Sequence, residues 1–217
     1  MSVQSTTAQL KQTLHETADQ HTEPSRVRIH RAISWLGRAE AEAEDHDARF
    51  VFLWIAFNAA YAREFGAEDD TRRQLGEFFD KLLALDGEHR LAQIMLHQFS
   101  GPIRTLIDNK FTFEPFWRAL RDHDASDRWE LQFASSKKAA LHAVMNRRSD
   151  VLLGVVFDRL YVLRNQLVHG GATWNSRVNR AQVKDGANIL MSVVPVMLQL
   201  MLQHPEVDFG DVLYPVV

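Results

Sequence analysis

The chain has 217 residues, of which 46% are hydrophobic and 24% charged, a composition typical of one globular domain with a sizeable core. Its 25 lysines and arginines against 28 acidic residues give a net charge of −3. This charge argues against nucleic-acid binding through bulk positive charge, although it leaves room for a local basic patch. The sequence contains no cysteine, which excludes disulfides, thiolate nucleophiles and cysteine-ligated metals.

The N-terminal sequence MSVQSTTAQLKQTLHETADQ is polar and lacks the apolar core of a signal peptide. We therefore expect a cytoplasmic location, which the absence of cysteine also fits. The chain is predicted to have three parts. Residues 1–23 form a polar N-terminal helix or arm that is loosely docked, residues 24–204 form a single helical domain, and residues 205–217 form a C-terminal tail.

Apolar residues recur at helical spacing along most of the chain, and no stretch shows a convincing strand alternation. Pro24 is tolerated at the start of a helix, whose apolar stripe includes Ile29, Ile33 and Leu36. The opposite face of this helix carries four arginines, Arg26, Arg28, Arg31 and Arg38. Such a charged face is usually solvated, which is the default interpretation here, and a phosphate-binding face is the alternative.

A helix over Ala48–Phe65 is apolar nearly all round, which predicts a central position in the core. Residues 66–70 are predicted as a loop. Ser100-Gly101-Pro102 either kinks a helix or starts a new one that runs to Asn109, and residues 110–115 form an irregular link. The remaining helices of this part are predicted over Thr71–Leu85, Glu88–Phe99, Phe116–Asp122 and Arg128–Arg147.

The last long helix is predicted over Val178–Gln203, with a kink at Pro195 because proline removes one backbone hydrogen bond. Within it, Ala187–Leu202 is apolar enough to raise the question of a membrane span. This stretch carries a polar stripe at helical spacing and is shorter than the ~20 residues that a span needs. A helix buried in the core or in an interface is therefore the better interpretation.

The segment Arg159–Gly171, RLYVLRNQLVHGG, combines an apolar helical stripe with conspicuous polar residues. The helix is predicted to start near Asp150, with Asp150 or Ser149 as its N-cap. Gly170 and Gly171 end it, because glycine readily adopts the left-handed conformation favoured at helix C-termini. Short connections favour antiparallel neighbours, so this helix is expected to form a hairpin with the one before it.

Arg164, Asn165 and His169 are the candidate site residues of this helix. Asn165 and His169 are four residues apart and share a face, and the long side chain of Arg164 can reach the same ligand. One interpretation is structural, with the three polar groups satisfied by hydrogen bonds near the buried side of the helix. The other is an anion-handling site, in which Arg164 grips phosphate oxygens and His169 moves a proton.

After the motif, Trp174 is predicted to stack on a base or, more commonly for a lone tryptophan, to pack over the helix end. Arg177 and Arg180 face either phosphates or solvent. The sequence contains no glycine-rich phosphate loop and no H-E-x-x-H motif, and its ten histidines are scattered. We therefore expect neither a bound metal nor a cofactor.

The R-N-x-x-x-H pattern within LYVLRNQLVHG resembles the motif of the HEPN superfamily. The upstream segment FVFLWIAFNAAY and the segment KFTFEPFW are similar to the Apea-like members of that superfamily. The resemblance extends from about Ile29 to Leu202. It implies an all-α, HEPN-like helical bundle with long antiparallel helices.

The resemblance also implies a function, because many HEPN proteins are metal-independent endoribonucleases of defence or toxin systems. They dimerise so that two motifs face each other. The expected reaction is cleavage of RNA by attack of the ribose 2′-OH, with His169 moving the proton and Arg164 binding the phosphate. Asn165 is expected to orient His169 or to hydrogen-bond the phosphate. The expected partners are RNA and a second copy, with an antitoxin or regulatory protein as a further one, and no membrane.

Two features limit what the resemblance implies. Some relatives that act as toxins have a tyrosine two residues after the histidine, where this chain has Gly171, so a tyrosine-modification switch is not expected. HEPN-like bundles also serve as non-catalytic modules. The alternative function is therefore binding of RNA, a nucleotide or a protein partner through Arg164, Asn165 and His169 without cleavage.

Overall fold

The computed structural model describes residues 6–62, 68–212 and 214, and every regular element within these ranges is helical. The predicted all-α class is therefore confirmed. The α-helices of the described ranges are α1 Thr6–Glu16, α2 Glu23–Glu40, α3 His46–Tyr61, α4 Glu68–Leu85, α5 Arg90–Gln93, α6 Ser100–Asp108, α7 Glu114–Arg121, α8 Arg128–Met145, α9 Ser149–Val168 and α10 Arg180–Gln203.

The chain divides into two compact units, one of Met1–Arg90 with Ala187–Val217 and one of Leu91–Gly186. The unit boundaries differ from the boundaries after residues 23 and 204 that the sequence suggested. The N-terminal helix belongs to the first unit rather than forming a separate arm. Helix α10 begins in the second unit and continues in the first.

In the first unit, α3 begins at His46, two residues before its predicted start, because a carboxylate caps it. The Oδ1 of Asp45 accepts hydrogen bonds from the backbone N–H groups of Asp47 and Ala48, both at 3.0 Å. Helix α3 ends at Tyr61, before its predicted end at Phe65, because the backbone of Ala62 is already extended. The start of the predicted loop lies outside the described residues. Helix α4 begins at Glu68, so the second half of that loop is helical.

Helix α1 packs closely on α2, and the prediction that it is loosely docked is wrong. Leu10 and Thr7 are buried, and the backbone N–H of Thr7 donates to Glu40 at 3.2 Å. Gly37 of α2 permits this approach, since a Cβ placed there would lie 3.0 Å from the Thr7 Cγ2 atom. Leu10 and Leu14 are the only large apolar residues of α1. The helix nevertheless packs closely at its N-terminal end, because Gly37 of α2 has no side chain to keep it away.

Arg28 does not belong to a solvated or phosphate-binding face. Its side chain is fully buried, at 0% exposure, and Nη1 donates to the carbonyls of Ala60 and Ala62 at 2.8 and 3.0 Å. Its Nη2 donates to the carbonyls of Gly210 and Asp211 at 3.0 and 2.8 Å. Arg28 therefore ties the end of α3 to the C-terminal segment of the same unit.

The other arginines of this face have separate surroundings. Arg31 donates to the Tyr214 carbonyl at 2.5 Å. Arg38 pairs with Glu42 and lies over the ring of Phe52. The four arginines thus do not form one basic surface. Arg28 points into the core, and Arg38 is paired with Glu42, which follows the end of α2.

Helix α10 begins at Arg180, two residues after its predicted start, and ends at Gln203 as predicted. It contains Pro195 in its interior. By length and composition alone it could cross a membrane, and 61% of its most apolar window is buried within the protein, as expected for a core helix. Part of its polar stripe is used internally, since Arg90 donates to the Oε1 atoms of Gln199 and Gln203 at 3.0 and 3.3 Å.

In the second unit, α5 continues as a π-helical turn over Ile94–Gln98, and Ser100 starts a new helix, which decides between the two alternatives for that segment. Helix α8 spans nearly the predicted range, and α8 and α9 pack together as the expected hairpin. Two apolar residues of α8 face solvent. Leu141 is 60% exposed and Val144 is 41% exposed.

Alanine substitution at two helical glycines should change stability in opposite directions. A Gly→Ala change inside a helix normally stabilises by roughly 0.5–1 kcal/mol. Gly76→Ala should show this gain, because no atom lies within 4 Å of the added Cβ. At Gly37 the contact with Thr7 should outweigh the gain and leave a net loss of about 1 kcal/mol. Urea unfolding of both variants measures the difference, and an equal gain in both would contradict the packing of α1 on Gly37.

Candidate functional site

The candidate residues lie at the C-terminal end of α9, which begins differently from the prediction. The N-cap residue is Arg148, and no side chain caps the helix. Instead, Arg148 Nη2 pairs with Asp150 Oδ2 at 2.5 Å, and this hydrogen bonding holds the pKa of the Asp150 carboxyl below its usual value. The expected capping by Asp150 or Ser149 is therefore wrong, because Asp150 is engaged by the arginine.

The C-terminal end of α9 is built as the two glycines predict. His169 is the C-cap residue, and its backbone N–H donates to the Asn165 carbonyl at 3.0 Å. Gly170 follows with φ of +68°, the left-handed conformation that glycine adopts without strain. The helix thus stops directly at His169 and leaves its imidazole at the exposed end.

Asn165 and His169 do not face the buried side of α9, contrary to the premise of the structural interpretation. Asn165 continues an exposed line along the helix that includes Asp158 and Tyr161 at spacings of four and three residues, and His169 lies one turn further on. His169 is exposed and Asn165 is half-buried. Both side chains are accessible to a ligand.

Arg164 is half-buried at the edge of this line and is held by its own helix. Its Nη1 donates to Asn165 Oδ1 at 2.8 Å, and its Cζ lies 5.9 Å from the centre of the Tyr161 ring. Its Nε is buried and has no hydrogen-bond partner among the described residues. The guanidinium is therefore oriented by neighbouring side chains without being neutralised by a carboxylate in the described ranges.

The structural interpretation expects Asn165 to bond across helices and His169 to bond at the helix end. Within residues 6–62, 68–212 and 214, the side chain of Asn165 bonds only to Arg164, and that of His169 makes no hydrogen bond or ion pair. The amide N–H groups of Asn165 and the imidazole of His169 are therefore available to a ligand. The cluster thus consists of Arg164 and Asn165, which are joined by a hydrogen bond, and of His169, which lies one turn beyond Asn165.

A network of amide side chains beside the cluster was not recognised in the sequence. Gln166 Nε2 donates to the Phe111 carbonyl at 2.8 Å, and its Oε1 accepts from Asn179 Nδ2 at 2.9 Å. Asn109 Nδ2 donates to Asn179 Oδ1 at 3.0 Å. The available signal was Gln166 itself, a third polar residue in the same apolar turn. This network fastens the segment after Gly171 to the end of α9.

Arg159 is a second feature that sequence reasoning missed. It is only 2% exposed, its Cζ lies 4.3 Å from the Phe113 ring centre and 5.4 Å from that of Phe133, and it donates to Ser136 Oγ at 3.1 Å. Burial lowers the pKa of Arg159 to about 10, so the side chain stays charged at neutral pH. Its spacing from the buried Val156 and Leu163 was the available signal.

The segment after Gly171 exposes its aromatic residue. Trp174 is 75% exposed, so the preferred prediction that it packs over the helix end is wrong. Arg177 is exposed, and Arg180 Nε donates to the Ser176 carbonyl at 3.1 Å. No group of three or more histidine or acidic side chains in the described ranges is arranged to hold a metal ion. No protein-family model matches the sequence, and no curated protein or solved structure matches it significantly.

Replacing Gln166 should loosen the segment that follows the motif. Gln166→Ala removes two hydrogen bonds, each contributing roughly 0.5–1.5 kcal/mol. The bond to Asn179 is the one that ties residues 171–179 to α9, so opening of this segment should become about two- to tenfold more frequent. Limited trypsin digestion at the exposed Arg177 measures this opening. Gln132→Ala on the exposed face of α8 is the matched control, and equal cleavage of the two variants would contradict the proposed fastening.

Proposed function

We propose that the protein is a metal-independent endoribonuclease of the HEPN type, which cleaves RNA at a site formed between two copies. One observation carries the proposal. Arg164, Asn165 and His169 meet at an exposed helix end, and within the described residues the imidazole has no internal partner and the guanidinium no acidic one. If these side chains had a purely structural role, other groups of the protein would be expected to form hydrogen bonds or ion pairs with them.

The three side chains suit attack of the ribose 2′-OH on the adjacent phosphate. An imidazole exchanges protons near neutral pH, so His169 serves as the proton carrier. The guanidinium of Arg164 stabilises the negative charge that develops on the phosphate. Its hydrogen bond with Asn165 sets the direction of the guanidinium, and the Asn165 amide can also donate to a phosphate oxygen.

The motif of one copy contains one histidine, His169, whereas the reaction needs a proton acceptor and a proton donor. A second copy placed with its motif opposite the first would supply the other imidazole. The exposed line on α9 suits such pairing, because its spacings alternate between three and four residues, as in the seam of a coiled coil. The members of this line are Val151, Gly154, Asp158, Tyr161, Asn165 and Val168.

Further apolar surface lies on the neighbouring helix. Leu131, Leu141 and Met145 of α8 are 71%, 60% and 74% exposed, a set that is costly to leave in water on one helix. Gly154 offers space for a second backbone, since no atom lies within 4 Å of an added Cβ. These surfaces support a homodimer through the α8–α9 hairpin.

A defence or toxin role in the cytoplasm, with an antitoxin or regulatory protein as a further partner, follows from the same resemblance. Because Gly171 replaces the tyrosine of some toxin relatives, control would act through such a protein partner rather than through tyrosine modification. RNA is the proposed substrate. The local cluster at the end of α9, rather than overall charge, would then bind the phosphate.

The purified protein should cleave labelled single-stranded RNA in the presence of EDTA. His169→Ala should lower the rate by about 10²–10⁴-fold, since it removes the proton carrier. Arg164→Ala should lower it by about 10²-fold or more, and Asn165→Ala by about tenfold. His142→Ala, which removes an exposed histidine of α8, is the control and should cleave like the wild type.

Two results would overturn the nuclease proposal. One is the absence of cleavage by the folded wild-type protein, and the other is equal cleavage by all variants. If RNA binds without being cut and Arg164→Ala weakens that binding, a non-catalytic RNA-binding module replaces the nuclease.

Blocking the exposed line of α9 should dissociate the dimer without unfolding the chain. Gly154→Arg places a long cation where the second helix would approach, and no atom of the described residues lies within 4 Å of a Cβ added there. We expect light scattering to show a dimer for the wild type and a monomer for this variant, with cleavage reduced in parallel. Gly76→Arg, at another unobstructed helical glycine, should remain dimeric and active. A monomeric but active wild type would contradict the composite site.

A further inference from the structure

A groove between α1 and α2 has the size and chemistry of a ligand site, and it lies in the first unit, apart from the α9 motif in sequence and in unit. Its volume is about 600 Å³, within the range usual for small-molecule sites. Its lining residues are Lys11, Leu14, His15, Ala18, Glu23, Arg26, Val27, His30, Arg31 and Ile33.

Helices α1 and α2 are in close contact at the N-terminal end of α1. Near Thr7 the two helices touch across Gly37, and Thr7 bonds to Glu40. The groove lies toward the turn that connects the helices, along the first three turns of α2. The opening is therefore part of the packing of the two helices.

The floor of the groove is aliphatic. Leu14, Ala18, Val27 and Ile33 supply it, and no phenyl or indole ring is among the lining residues. A nucleobase binds best by stacking on such rings, so this floor favours an alkyl chain over a base. Apolar surface on both walls removes the chain from water.

The rim of the groove is cationic. Lys11, Arg26 and Arg31 contribute three positive charges against one negative charge from Glu23, a local excess in a chain whose net charge is −3. The side chains of Lys11 and Arg26 form no hydrogen bond or ion pair with any residue in the described ranges. The N-terminal end of α2 adds partial positive charge on the same side.

We propose that this groove binds an aliphatic anion, an unbranched alkyl chain that ends in a carboxylate or a phosphate. The chain lies on Leu14, Ala18, Val27 and Ile33. Arg26 and Lys11 bind the head group through charge-assisted hydrogen bonds. The site is independent of the nuclease proposal, because none of its residues belongs to the second unit.

Calorimetric titration with decanoate and with decyl phosphate, both below their micelle concentrations, tests the proposal and distinguishes the two head groups. At least one anion should bind saturably, whereas decanol, which has the chain without the charge, should bind at least tenfold more weakly. For a carboxylate site, octanoate should bind about fifteenfold more weakly than decanoate, because it buries two fewer methylenes.

Two variants separate the head-group contacts from the floor. Lys11→Gln with Arg26→Gln should weaken anion binding by about tenfold or more, and Val27→Trp should block it by filling the floor. Lys138→Gln with Arg104→Gln, a matched pair of exposed residues in the second unit, should bind like the wild type. Circular dichroism confirms that each variant keeps its helical content.

Any of three outcomes overturns the proposal. They are no saturable binding of either anion, equal binding of decanol, and unchanged binding by the Lys11 and Arg26 double variant. Co-sedimentation with phosphatidylglycerol vesicles in the absence of binding to the free anions would also overturn it, and would assign the basic rim to a membrane surface instead.

Discussion

Burial of an arginine charge is the constraint on which each compact unit depends. A guanidinium removed from water is costly unless its N–H groups are satisfied. In the first unit, Arg28 donates to four backbone carbonyls from two separate segments, the end of α3 and residues 210–211. These carbonyls lie in or just beyond the last turn of α3 or in an irregular segment, where backbone groups lack helical partners. The guanidinium and the carbonyls therefore form hydrogen bonds with one another, and these bonds hold residues 210–211 beside the end of α3.

The second unit meets the same constraint with aromatic rings. Arg159 lies against Phe113 and Phe133 and bonds to Ser136, so it connects α9 to α8 and to the segment before α7. Helix α9 consequently carries a buried cation on its inner face and, about 120° round the axis, the exposed line that contains Asn165. Because Arg159 and its apolar neighbours fix the rotation of the helix, they also fix which residues near its end reach solvent.

Sequence reasoning was most successful where a residue acts through its own helix. The periodicity predicted most helices within a few residues, and the glycine pair after His169 predicted the end of α9. It failed where a residue acts through a distant partner. Arg28 has the spacing of an exposed face residue, yet it is buried because carbonyls 32 to 183 residues away surround it. Leu141 has the spacing of a core residue, yet it is exposed. The amide network of Gln166, Asn179 and Asn109 likewise joins three separate segments.

The sequence by itself determined the all-helical class, the position of the motif at a helix end and the chemical types that meet there, because these follow from local spacing and from glycine conformation. Only the tertiary structure decided which faces are buried, since burial depends on what packs against a helix rather than on its own periodicity. Tertiary packing turned Arg28 and Arg159 inward and left His169 and the exposed line of α9 facing solvent. It also formed a basic-rimmed groove between α1 and α2. Each of these outcomes requires two segments to meet, and pairing of distant segments is not encoded in the spacing of either one.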